Sequence, residues 1–146
     1  MTERRVCALL LAGLMSSPVS AGLAELLGAR PAVLRPEQAF APQLQAGADG
    51  KLQVQFHIAA GYYLYRDRLT LTAADGAPLT LELPPGEAFE DPEFGRVAVL
   101  RGVQAINVDL PARPGAAVEL RYQGCAEGRL CYTPVRLRLS LPEHSP

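Results

Sequence analysis

Tryptophan is missing from this chain, histidine occurs twice, and the 146 residues include only three cysteines. So sparse a ligand set argues against a structural zinc site, which takes four closely spaced Cys or His ligands. His57 falls inside an alternating run and His144 in a polar tail, and both read as solvent-facing side chains. Neither sign of charge dominates: the formal net charge is -1, with no basic stripe for nucleic acid and no polybasic patch for a membrane surface. No apolar run reaches the roughly 18 residues that a membrane-crossing helix needs. A Ser-His-Asp set, a nucleotide loop and a phosphate-binding glycine motif are all lacking.

Punctuation is plentiful instead, with glycine and proline contributing 13 residues each. That frequency suits many short strands better than long helices. Leu52, Val54, Phe56 and Ile58 alternate with Gln53, Gln55 and His57, the period of a strand with one buried face. Gly61 then turns the chain into Tyr62-Tyr63-Leu64-Tyr65, and Leu69 and Leu71 alternate with Thr70 and Thr72 up to an Asp75-Gly76 hairpin signal. Leu79, Leu81 and Leu83 predict one further strand, stopped by Pro84-Pro85-Gly86. After a polar loop, strands are predicted over 97–100, 103–110, 118–122 and 135–141. A chain of this size with this spacing of short strands predicts an all-β fold, an immunoglobulin-like β-sandwich in a single domain.

The first residues read as an export signal. Arg4 and Arg5 precede a ten-residue apolar stretch from Val6 to Met15, and Val19-Ser20-Ala21 has the small residues of a cleavage site, with a second candidate after Ala24. The alternative is an N-terminal amphipathic helix of a cytosolic protein. The predicted organisation is a signal over 1–21, a loosely ordered segment over 22–32, the domain over 33–141 and a tail over 142–146. Cys7 would leave with the signal, so Cys125 and Cys131 would be the only thiols of the mature chain, in an oxidising compartment that permits one bridge.

Those two cysteines lie six positions apart in Gly124-Cys125-Ala126-Glu127-Gly128-Arg129-Leu130-Cys131-Tyr132, which reads as the end of a β-hairpin. Gly124 and Gly128 supply the backbone freedom that a distorted hairpin end needs. A bridge closing so short a loop constrains the unfolded chain by only roughly 2 kcal/mol. The pair is therefore poorly placed as a staple and well placed for access, and the residues alone leave both readings open.

Five segments occur in a telling order: Phe40; Gly61-Tyr62-Tyr63-Leu64-Tyr65-Arg66; Leu83-Pro84-Pro85-Gly86; Glu90-Asp91-Pro92-Glu93-Phe94-Gly95; and Tyr122-Gln123-Gly124-Cys125 with Cys131-Tyr132-Thr133-Pro134. Together they resemble the N-terminal periplasmic domain of the thiol:disulfide interchange protein DsbD, over about 33–141. The resemblance implies an immunoglobulin-like sandwich whose cysteine pair cycles between dithiol and disulfide. Such a domain takes electrons from a thioredoxin-like donor and passes them to periplasmic thioredoxin-like proteins through transient mixed disulfides, with no cofactor and no metal. By position, Cys125 and Cys131 match the redox pair, Cys131 as the member that bonds to partners and Cys125 as the one that resolves the adduct. Tyr63 and Tyr65 match aromatic residues lining the site, and Glu90, Asp91, Glu93 and Phe94 lie in a segment that matches a cap loop over the cysteines. The acidic cap residues and Glu127 would place negative charge near the thiols and hold back the thiolate, with Arg129 acting the other way.

Two departures from the family stand out. Where the cap often has adjacent aromatics before its glycine, this chain has Glu93-Phe94, so Phe94 shields alone or the cap is more open. The family protein also continues into a membrane domain and a thioredoxin-like domain, where this sequence stops at Pro146. A separate DsbD-like membrane protein would then supply the electrons, or a different reductant would; the third alternative is a truncated, non-functional remnant. The competing expectation is an exported immunoglobulin-like binding module with an inert structural disulfide.

Overall fold

The computed structural model describes Gly28 and residues 30–143; the segment expected as a signal, Cys7 and His144 lie outside the described residues. One compact unit begins at Val33. It is the expected immunoglobulin-like β-sandwich, with two layers closing over a shared core.

The first layer contains β1 (Gln43–Ala46), β2 (Lys51–His57), β6 (Leu81–Glu82) and β9 (Val103–Pro111), in the spatial order β1-β2-β9-β6. The alternation in β2 does what its period requires: Leu52, Val54 and Phe56 are buried, and the residues between them are not. On the outer face an amide ladder crosses this sheet, from Gln45 to Gln53 at 2.6 Å, Gln53 to Asn107 at 2.9 Å and Asn107 to Glu82 at 3.1 Å. These side-chain bonds support the register that the buried face demands.

The second layer is built by two chain runs that pair antiparallel twice. β4 (Thr70–Ala73) lies between β10 (Ala117–Tyr122) and β5 (Pro78–Leu79), and β13 (Val135–Ser140) closes the other edge. Upstream of β4 and downstream of β10, the same runs pair again as β3 (Tyr62–Tyr65) and β11 (Gly124–Ala126). A 3-10 turn at Arg66–Arg68 and the single residue Gln123 separate the two pairings, joined by Tyr65 N–H donating to Gln123 C=O at 3.0 Å. Phe56, Leu64, Leu71, Ile106, Val108, Leu120 and Tyr122 meet between the layers, all nearly inaccessible to water. Burying one such aliphatic or aromatic side chain contributes about 1.5–3 kcal/mol.

The fold differs from the sequence expectation in four places, the first being β1, where no strand was predicted. The run Leu79 to Leu83 is not one strand: β5 pairs with β4 in the second layer, β6 with β9 in the first, and the chain changes layers at Thr80. The residues expected as a polar loop ahead of the strand over 97–100 instead form β7 (Glu87–Asp91), which makes a hairpin with that strand, β8 (Gly95–Leu100). The outer strand, β7, is mostly solvent-facing, so no alternation of apolar residues marks it. A five-residue helix, α1 (Pro36–Phe40), was likewise unmarked; it places Phe40 at the centre of the core, edge-on to Tyr62, Tyr122 and Tyr132.

Candidate functional site

The site forms on the face of β3 that turns away from the main core. Successive strand residues point to opposite faces, so Tyr62 and Leu64 join the core while Tyr63 and Tyr65 pack with Val99 and Cys125 in a separate cluster. β11 runs beside β3 and turns at Glu127-Gly128-Arg129 into β12 (Leu130–Cys131), placing Cys125 directly opposite Cys131. The two are disulfide-bonded, with Cα atoms 4.0 Å apart. Gly128 takes the positive φ of 66° that the turn requires.

The pair is asymmetric. Cys125 is 1% exposed, whereas Cys131 lies on the surface. The access expected for the pair is therefore found at Cys131 and not at Cys125. Tyr65 Oη is 3.1 Å from the Cys125 sulfur and 3.6 Å from the Cys131 sulfur. A bonded sulfur has no proton to give, and the phenol proton is committed elsewhere.

That commitment is to Asp91, a buried charged side chain. Tyr63 and Tyr65 both donate to Asp91 Oδ2, at 2.9 and 2.7 Å, while the backbone N–H groups of Glu93 and Phe94 donate to Oδ1, at 2.8 and 3.0 Å. One carboxylate thus shapes the tip of the β7–β8 hairpin and pins that tip to β3. Asp91 and the two sulfurs have ligand-type atoms within 4.8 Å of one another. Both carboxylate oxygens already accept two donors each.

Burial alone would raise the Asp91 pKa, but the four donors outweigh it and bring it from 3.8 down to about 2. Burial first, and then the bond to Asp91, raise Tyr63 to about 12 and push Tyr65 up as well, so both hydroxyls stay protonated donors. A depressed carboxyl pKa contributes stability that is complete above the unfolded value and fades as pH falls through the folded one. The pinning of the tip should therefore persist below pH 3.8 and be lost around pH 2. An NMR titration of the Glu93 and Phe94 amide signals should show a midpoint near 2; a midpoint near 3.8 would refute the arrangement.

The remaining residues expected at the site fall into two groups. Phe94 lies edge-on to Tyr65, with ring centroids 5.5 Å apart, and is itself 38% exposed. Glu90 and Glu93 are on the cap but point to solvent, lining with Pro92, Leu130 and Cys131 a groove of about 530 Å3 between the cap and the cysteine hairpin. Glu127 is paired with Arg101 at 2.8 Å, which offsets its charge, and Asp91 is the carboxylate that lies within 4.8 Å of both sulfurs. Three residues without a sequence signal complete the site. Phe89 packs on Tyr63 at 4.9 Å, Arg101 lies over the rings of Tyr63 and Phe89, and Arg68 lies over Tyr65 and Phe94. Their placement depends on the cap folding back across β3, which no local pattern announces.

Comparison with known proteins agrees with this architecture. Residues 30–142 match the family described as the N-terminal region of the thiol:disulfide interchange protein DsbD. Thiol:disulfide interchange protein DsbD 2 of Pseudomonas aeruginosa is 41% identical over 105 residues, covering 72% of this chain and 17% of that protein. DsbD of Escherichia coli is 33% identical over 131 residues, covering 89% of this chain and 23% of its own length. The chain thus spans about a fifth of the curated relatives it matches. The crystal structure of the reduced Neisseria meningitidis DsbD N-terminal domain superposes with a TM-score of 0.64 at 33% identity, covering 75% of this chain and 90% of that one. A complex between the DsbD and PilB N-terminal domains of the same organism matches with a TM-score of 0.58 at 33% identity, over 75% of this chain and 88% of the other.

Proposed function

The chain belongs to the DsbD N-terminal domain family, and from that membership we propose that it is an exported thiol–disulfide exchange domain. It relays electrons from a thioredoxin-like donor to periplasmic protein disulfides through Cys125 and Cys131. The observation that carries this reading is the asymmetry of the pair: an exposed Cys131 beside a Cys125 that is 1% exposed and faces Tyr65.

The exchange balances in two steps. A donor thiolate attacks the Cys131 sulfur, the bond to Cys125 breaks, and Cys125 leaves with the electron pair and takes up a proton. The donor's second thiolate then attacks the donor sulfur of the mixed disulfide and releases Cys131. The donor departs as a disulfide and the domain holds two thiols. The same steps in reverse, with Cys131 attacking an acceptor disulfide and Cys125 resolving the adduct, deliver the two electrons onward.

The surroundings suit each step. A Cys125 thiol would lie within reach of Tyr65 Oη and could donate to it, because the phenol proton already points at Asp91. The Asp91 charge beside the sulfurs disfavours a thiolate and keeps the reduced pair unreactive until a partner displaces the cap. The groove beside Cys131 receives that partner. A complex of a related DsbD N-terminal domain with another protein domain supports protein rather than small-molecule substrates.

Trapping tests the proposal. With Cys125→Ala, Cys131 should accumulate mixed disulfides with thioredoxin-like proteins in periplasmic extract, released by dithiothreitol and absent when Cys131→Ala is added. Absence of any such adduct, with a thioredoxin-like donor present, would sink the relay and favour an inert bridge.

A further inference from the structure

Asp91 pins the cap tip from within, and Arg68 stands against the same tip from outside. β8 pairs with β3 only at Val99 and Leu100, so the ladder of the outer hairpin, from Phe89 to Val97, is formed by β7 and β8 alone. Side chains must hold that part down. Near the base, Arg101 lies 5.2 and 5.5 Å from the Tyr63 and Phe89 ring centres and is tied to Glu127 at 2.8 Å and Glu87 at 3.7 Å. At the tip, Phe94 meets the Tyr65 ring at 90°.

Arg68 covers that contact from the frame of the sandwich. It stands in the 3-10 turn after β3, with its guanidinium 3.9 Å from the Phe94 ring centre and 5.1 Å from that of Tyr65. Its Nη1 donates to Gln123 Oε1, and Gln123 Nε2 donates at 3.0 Å to the carbonyl of Tyr132, the residue after Cys131. A planar guanidinium can lie against an aromatic face while its in-plane N–H groups are bonded elsewhere, which an ammonium cannot do equally well. The Phe94 ring, the Tyr65 ring and the guanidinium thus form a closed triangle, with Phe94 5.5 Å from Tyr65 and the guanidinium, anchored beside the cysteine hairpin, 3.9 Å from Phe94 and 5.1 Å from Tyr65.

We propose that Arg68 is a positioning residue that latches the cap tip closed, and that a docking partner must draw Phe94 away from both Tyr65 and Arg68 before the cap can move. Its significance for catalysis rests on the exchange reading above; the latch itself does not.

Amide hydrogen exchange in the disulfide form tests the latch. Arg68→Ala should speed exchange at Glu93 and Phe94 about two- to fivefold, the range for a cation over an aromatic face at an exposed site. Exchange at Val54 and Leu120 in the core should not change, and reduction by dithiothreitol should quicken in parallel. Arg68→Lys should fall between the two. In a Phe94→Leu background, Arg68→Ala should add nothing. Unchanged exchange at Glu93 and Phe94, or an equal effect without the Phe94 ring, overturns the latch. Failure of Cys125→Ala to trap partners while the amide effect persists would overturn the relay and leave the latch standing.

Discussion

Asp91→Ala is expected to release the cap and to raise the rate of disulfide reduction by dithiothreitol at least tenfold. The substitution strips two tyrosine hydroxyls and two backbone N–H groups of their shared acceptor. Hydrogen bonds to a charged group contribute about 1.5–3 kcal/mol each, and these four act as a unit, so about 3 kcal/mol of local stability should be lost rather than their sum. Asp91→Asn separates the two halves of the effect. Its carbonyl can still accept from Glu93 and Phe94, while its amide faces hydroxyls that must turn to accept, so the increase should be smaller. Equal rates for the wild type and Asp91→Ala would show that the carboxylate does not hold the cap.

The largest expected loss of global stability comes from Gly124→Ala. A Cβ there would collide with the Tyr63 carbonyl and lie 2.6 Å from Phe40 Cζ, between the β3 backbone and a core ring. Neither neighbour is a flexible side-chain end, so β11 must leave β3 or Phe40 must leave the core. Overpacking of this kind costs about 3 kcal/mol, read as a lowered midpoint in urea denaturation. Gly128→Ala is the control: open space surrounds its Cβ position, and only the φ of 66° opposes it. That strain costs about 1–2 kcal/mol. If the two variants unfold at the same denaturant concentration, close packing at Gly124 is not what that position requires.

Much of the frame was legible because its signals are local. Period two in Leu52 to Ile58 requires a strand with one buried face whatever surrounds it, and Asp75-Gly76 turns the chain between β4 and β5 as its dihedral preferences demand. The alternation of Tyr62 to Tyr65 is local too, but which face meets the core and which meets the cysteines depends on β11 lying alongside. The change of layer at Thr80 left no mark, since Leu79 and Leu81 keep their period while pairing with different sheets. The outer strand of the cap hairpin, β7, left none either. It buries little apolar surface and is held by backbone pairing, which sequence patterning does not report.

The cysteine pair divides along the same line. Its spacing and its glycines determined a short hairpin with opposed thiols, because strand geometry and turn chemistry act over a few neighbouring residues. Tertiary structure alone decided that Cys125 is buried and Cys131 exposed, that Asp91 rather than Glu127 is the charge beside them, and that Arg68 and Arg101 grip the cap. Burial, hydrogen bonding and cation–aromatic contact fall off within a few ångströms of space, and residues separated by tens of positions meet at that range only once the chain has folded.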